Sequence, residues 1–170
     1  MIKKDLYLGL GSNQGDRNGL LAQAIRMLTE RIGLQKGLSA FYETEPWGFV
    51  SESPFLNAVL CLSTDLPISE IFEITREVER QLGRVSKSTG GVYSNRTMDI
   101  DILMYGDEVL EEDIYLPKEG GAAHLSLPHP LMCCRRFVLE PLCEIAPNQK
   151  HPISQKPFFQ ILSDLAVSER

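Results

Sequence analysis

The sequence predicts one domain of mixed helix and strand, a sheet covered by helices, and three observations carry that reading. Residues 55–63 alternate, with Phe55, Asn57, Val59 and Cys61 facing one way and Leu56, Ala58, Leu60 and Leu62 the other. Both faces are therefore largely apolar, as in a strand buried between layers. Residues 95–106, N-R-T-M-D-I-D-I-L-M-Y-G, alternate from Met98 and then run apolar through Ile100, Ile102, Leu103 and Met104, a second buried strand closed by a turn at Gly106-Asp107. Two other segments carry apolar residues at helical spacing instead. With 170 residues the chain is long enough to bury a full core, and it reads as a single domain over 1–170 without repeat or linker.

In chain order, Leu6 to Leu10 forms a strand that meets the turn-rich run Gly11-Ser12-Asn13-Gln14-Gly15-Asp16. The helix after it places Leu20, Leu21, Ala24, Ile25, Leu28 and Ile32 on one face, with Gly33 as its stop. The glycines lack the G-K-[ST] of a phosphate loop and are spaced one residue too long for the dinucleotide fingerprint, so a tight connection explains them better. Residues 37–44 contain a second strand ending in Tyr42-Glu43-Thr44. Pro46 and Gly48 make the following loop irregular, and its Trp47 is expected to fold back onto the core. Asn57, in the middle of an apolar strand, must find partners for its amide, either the edge of a flat ligand or a neighbouring loop.

The second helix follows Pro67 over 68–82, burying Ile71, Ile74, Val78 and Leu82 and ending at Gly83. Glu73, Arg76, Glu77 and Arg80 are expected on its solvated face with i,i+4 pairing. A polar segment with adjacent glycines at 90 and 91 then carries cations at both ends, Arg84 and Lys87 before it and Arg96 after it. That composition predicts a flexible loop leading into the aspartate strand. Val109-Leu110 starts a short hairpin partner, and 117–123 reads as a surface insertion. His129 stands between Pro128 and Pro130 on a stiff extended segment. Residues 135–139 fit either helix or strand, and the tail, with a short helix near 158–165, reads as a cap on the core.

Composition narrows the function. A chain with 43% hydrophobic and 24% charged residues and no run of about 18 apolar residues is expected to be an ordinary cytoplasmic globular protein without a membrane partner. Cys61, Cys133, Cys134 and Cys143 form no C-x-x-C pair and have no histidine at metal spacing, which argues for reduced thiols and against zinc. A formal charge of −6 argues against a nucleic-acid surface. A small anion remains possible if cations gather locally.

Asp99 and Asp101 supply the sharpest chemical signal. Two apart on a strand, they project from one face roughly 6.6 Å apart. Like charges on a half-buried face are unfavourable unless something positive lies between them. Arg96 with strand-end hydrogen bonds is one answer, and one or two Mg²⁺ ions, which prefer oxygen ligands, are the other.

Several motifs in order, Leu10-Gly11-Ser12-Asn13, Tyr42-Glu43-Thr44, Phe55-Leu56-Asn57-Ala58, Glu79-Arg80-Gln81-Leu82-Gly83-Arg84, Arg96-Thr97-Met98-Asp99-Ile100-Asp101-Ile102-Leu103, Leu127-Pro128-His129-Pro130 and Arg135-Arg136-Phe137-Val138-Leu139, give the chain a closer likeness. Over roughly 5–147 it resembles the 6-hydroxymethyl-7,8-dihydropterin pyrophosphokinase family. The resemblance implies a ferredoxin-like α+β fold, helices packed on a mainly antiparallel sheet. It also implies an ATP-dependent diphosphokinase of folate biosynthesis, with ATP and hydroxymethyldihydropterin as substrates; the oligomeric state is left open, a monomer being favoured. By that likeness Asp99 and Asp101 hold two Mg²⁺ ions and act in catalysis with Arg84 and Arg96. Arg84, Lys87, Arg96, Ile102, Ser126, His129 and Arg135 attend the nucleotide. Phe55 and Phe137 sandwich the pterin, which Asn57 and the Thr44 segment hydrogen-bond.

Rival readings are a non-catalytic ferredoxin-like nucleotide-binding or ligand-binding module and a metal-dependent phosphohydrolase. The chain departs from many relatives in having Ser86 where they carry an arginine, Tyr93-Ser94-Asn95 where they carry W-G-P, and the 117–123 insertion.

Overall fold

The computed structural model describes residues 2–44, 54–83 and 98–169. The Trp47 loop and the segment bearing Arg84, Ser86, Lys87, Tyr93 and Arg96, expected as a flexible loop, lie outside the described residues.

Strand β1 (Lys4–Ser12) is followed by helix α1 (Arg17–Arg31), strands β2 (Leu34–Leu38), β3 (Tyr42–Thr44) and β4 (Phe55–Thr64), helix α2 (Ile68–Gln81) and strand β5 (Asp99–Tyr105). The sheet runs β2-β4-β1-β5, with β3 also on β4, and every pairing is antiparallel. Each helix crosses over to a strand parallel with the one it left, and the whole is the ferredoxin-like α+β arrangement. Asp16 starts α1 by accepting a hydrogen bond from the Gly19 amide at 3.1 Å, the usual way an exposed first turn is satisfied.

One face of the sheet buries Leu6, Leu8, Leu10, Leu60 and Leu62 against Leu21 and Leu28 of α1 and Ile71 and Val78 of α2. The opposite face buries Tyr7, Val59, Cys61, Leu103 and Met104 under α3 (Arg136–Ile145) and α4 (Phe158–Ser168). Strands β1 and β4 read apolar on both sides because both sides are covered. The 135–139 segment resolves as the start of α3, entered at Arg135 after a short 3₁₀ turn (Met132–Cys134). The tail is more than a cap: Phe158 is fully buried, its ring edge-on to Tyr7 with centroids 6.0 Å apart.

Several expectations change. The 37–44 strand is two strands broken at Ser39, whose amide donates to Val59 O (3.0 Å) and whose hydroxyl accepts from Val59 N (2.9 Å), so a buried side chain replaces one ladder bond. Gly33 is required by space: a Cβ there would lie 2.1 Å from Ser63 O. Residues 117–123 are only partly an insertion loop, because Gly121 already begins β7 (Gly121–Leu127), which pairs with β6 (Leu110–Leu116) in a separate two-stranded sheet.

The polar side of α2 is not solvated as expected. Glu77 and Glu79 are buried, and Arg76, Glu77 and Arg80 pair with other elements instead of along the helix. Among the described residues, no helix is long and apolar enough to cross a membrane.

Candidate active site

The candidate site lies on the α3 side of the sheet, where β1, β4 and β5 run together. Asp99 and Asp101 are both half-buried on one face of β5 while Ile100 is buried on the other, as the D-x-D spacing predicts. In register, Asn57 of β4 pairs with Gly11 of β1, and Gly11 pairs with Asp99 of β5. Asn57 and Asp99 thus occupy one row across three neighbouring strands, roughly 10 Å apart at about 4.8 Å per strand. Next to it, Gly9 stands opposite Asp101.

Sequence reasoning gave those two glycines no part in the candidate site. They form part of a strand, and only Gly15, at φ 68°, does the turning expected of the group. A Cβ on Gly11 would press on Asn57 Oδ1 at 3.0 Å and lie 3.6 Å from the Phe55 ring. The central strand therefore offers bare backbone between the asparagine and the carboxylates. Glycine inside a strand marks such close approaches.

Asn57 is buried, and its Nδ2 donates to Thr44 Oγ1 at 2.5 Å, across the β3–β4 pair. Its amide is thereby oriented by the neighbouring strand. Phe55 opens β4, paired with Thr44, and Phe137 lies half-buried in the first turn of α3.

Arg135, immediately before α3, brings a cation to the acidic pair, its Nη1 3.8 Å from Asp101 Oδ2 and its guanidinium 5.6 Å from the centre of the Phe137 ring. His129 is fixed by its backbone, which donates to Leu103 O at 2.8 Å. Its Nδ1 accepts from the Leu131 amide at 3.1 Å, which puts the proton of the neutral ring on Nε2. Burial, with Arg135 adding to it, pushes the His129 pKa below its ordinary value, against a smaller opposing pull from Asp99. The ring is then neutral at neutral pH and offers an N–H donor.

Two further expected residues stand on β5 and β7. Ile102 turns its side chain to the opposite face, into the core under α1 and α2. Ser126 sits on β7 with its hydroxyl 3.4 Å from Glu111 Oε1 and 3.3 Å from His124 Nε2, whose Nδ1 is 2.9 Å from Asp113 Oδ1.

Glu79 was the second miss. Buried on α2, it accepts from the Ile100 amide at 2.9 Å, so it ties the edge of β5 between the two aspartates. Its position eight residues after Ile71 and four after Thr75 puts it on the buried stripe, a signal present in the sequence.

Two carboxylates on one face suit hard, oxygen-preferring Mg²⁺. That ion is commonly held by one or two carboxylates and completes its octahedron with water and substrate phosphates. Among the described residues no cluster of three or more acidic, histidine or cysteine side chains forms a metal cage. The donor set fits an ion that arrives with a polyphosphate.

The sequence profile described as 7,8-dihydro-6-hydroxymethylpterin-pyrophosphokinase matches residues 7–147. A 2-amino-4-hydroxy-6-hydroxymethyldihydropteridine pyrophosphokinase of Porphyromonas gingivalis is 49% identical over 152 residues, 89% of this chain and 97% of that protein. Its namesake in Aquifex aeolicus is 40% identical over 152 residues, 89% of this chain and 86% of its own length. Among solved structures, an HPPK-DHPS in complex with substrates overlays with a TM-score of 0.76 at 16% identity, covering 98% of this chain and 44% of that one. A Plasmodium falciparum HPPK-DHPS triple mutant gives 0.76 at 17%, covering 98% and 45%. This chain spans under half of those solved chains, and at such identity the likeness speaks for the fold alone. A profile match across most of the chain, joined to near end-to-end similarity with the Porphyromonas protein, makes the chain a member of the 7,8-dihydro-6-hydroxymethylpterin-pyrophosphokinase family.

Proposed function

We propose that this protein transfers the terminal diphosphate of ATP to the hydroxymethyl oxygen of 6-hydroxymethyl-7,8-dihydropterin in folate biosynthesis. The observation that carries the reading is the row Asn57–Gly11–Asp99, with its amide suited to a heterocycle edge, bare backbone and an acidic pair on one face. The hydroxymethyl oxygen attacks the β-phosphorus, the bond from that phosphorus to the oxygen bridging the α-phosphorus breaks, and AMP leaves with the bridging oxygen. The proton of the hydroxyl passes to solvent.

Phe55 and Phe137 would hold the pterin ring between them, Asn57 its edge, and the Thr44 segment its remaining polar atoms. Asp99 and Asp101 would hold the metal, two Mg²⁺ ions by family likeness, which would supply positive charge against the phosphates. Arg84, Lys87 and Arg96 would attend the triphosphate, and Arg135, His129 and Ser126 the nucleotide side. Ile102 backs the aspartate strand from the core. Positioning and stabilisation of the charge spread over the transferred group supply most of the rate in such a loose transition state, so no dedicated base is needed. The cytoplasm is the proposed location, in keeping with four free cysteines.

Product identity tests the reading. With Mg²⁺, ATP and hydroxymethyldihydropterin, chromatography is expected to show AMP and the pterin diphosphate in equal amounts. ADP or free phosphate as the main product would contradict diphosphoryl transfer, the latter pointing to a hydrolase. Binding without turnover would leave a non-catalytic module.

A further inference from the structure

The β6–β7 hairpin carries ion pairs that the reaction does not use. Its tip, 117–120, grips α2 from two sides. Glu119 accepts from Arg76 twice, Nε to Oε2 at 2.9 Å and Nη2 to Oε1 at 2.8 Å, and from Arg80 Nη1 at 2.7 Å. Lys118 donates to Glu77, whose other oxygen accepts from Arg31 of α1 at 2.5 Å. The apolar side of the hairpin, Ile114, Leu116, Leu125 and Leu127, joins the core shared with α2. The last turns of α2 are thus fixed by α1 and by the hairpin tip. On the same turns, Glu79 accepts the Ile100 amide between the two aspartates.

We infer that the hairpin tip braces the active site: Glu119 is a positioning residue that sets, through the end of α2 and Glu79, where the start of β5 carries Asp99 and Asp101. Arg76, Glu77, Glu79 and Arg80 lie within one and a half turns, so a shift at the arginines moves Glu79 with them. The hydrogen bond from Ile100 is sensitive to a few tenths of an ångström in distance and to angle. A carboxylate is needed at 119 because a glutamine offers only one accepting oxygen to two guanidinium groups. What the aspartates do rests on the proposed function; the mechanical link does not.

Glu119→Gln in the full chain tests it, with amide hydrogen exchange at Ile100 read beside exchange at Leu60 in the sheet centre, and with steady-state kinetics. Exchange at Ile100 is expected to rise about tenfold, the effect of roughly one lost hydrogen bond. Leu60 should stay unchanged, and kcat should fall severalfold with KM for the pterin held within about twofold. Glu112→Gln, on an exposed position of the same hairpin, serves as control and keeps wild-type values. Unchanged Ile100 protection overturns the brace, and so does a loosened Ile100 with wild-type turnover. If the glutamine variant fails to fold, Glu119→Asp, which keeps the charge, is read by the same criteria. A wild-type chain that makes no AMP sinks the proposed reaction, while the exchange readout still decides the link.

Discussion

Asp99 and Asp101 leave the same face of β5 half-buried, and Arg135 approaches the second at 3.8 Å. Replacing either by alanine removes one of the two carboxylates proposed to hold the metal, and kcat is expected to fall by about a hundredfold or more. Circular dichroism should show the fold intact; near wild-type turnover in both variants would remove their proposed role. Gly11 makes a separate point. A Cβ there already meets Asn57 Oδ1 at 3.0 Å. Gly11→Val is therefore expected to weaken pterin binding at least about tenfold, at about 1.4 kcal/mol per decade, and leave nucleotide affinity within about twofold by calorimetry. The aspartates and Asn57 were legible in the sequence because period-two alternation puts polar residues on a known face. Gly9 and Gly11 were not, since a strand glycine and a turn glycine look alike until the pairing partners on both sides are known. Glu79 sat in plain view on the helical stripe, but an acid on an apolar stripe gives no hint of which amide satisfies it.

At the scale of elements, local pattern placed α1, α2, β4 and β5 within a few residues and left the hairpin obscure. Residues 117–123 look like an exposed, glycine-rich insertion, and nothing local tells that Lys118 and Glu119 reach across more than thirty-five residues of sequence to α2. The same ignorance assigned Arg76 and Arg80 to solvent. Arg76 first, with Arg80 helping, holds the Glu119 carboxyl down to about 2. A carboxyl depressed in the folded state adds stability that is fully present above its ordinary pKa and is lost as pH falls through the folded value. The contribution of Glu119 should thus hold at neutral pH and fade from about pH 4.5 toward about pH 2. Allowing for partial exposure and screening, Glu119→Gln is expected to cost about 1–2 kcal/mol in urea unfolding at pH 7. The gap between variant and wild type should narrow as the buffer is acidified. A gap that widens on acidification would contradict the pairing.

For the whole molecule, apolar faces on both sides of β4 predicted covered layers, yet not that β4 pairs with β1 in the order β2-β4-β1-β5, because strand order depends on long-range register that no local pattern encodes. Those two strands also decide how the molecule should unfold. β1 contributes Leu6 and Leu8 to the layer under α1 and α2 and Tyr7 to the layer under α3 and α4, and β4 divides Leu60 and Val59 in the same way. Neither layer can lose its packing without exposing the back of strands the other needs. The site is subject to the same coupling, since Arg135 and Phe137 belong to one layer while Glu79 and Ile100 belong to the other. Phe158→Ala, at a fully buried ring far along the chain from the aspartates, is expected to cost about 3–5 kcal/mol. Far-ultraviolet circular dichroism and tyrosine fluorescence should then report one coincident urea transition, moved to lower denaturant with its slope unchanged. Two separated transitions would mean that α3 and α4 melt away from a surviving sheet, and the shared strands would then not bind the two layers into one cooperative unit.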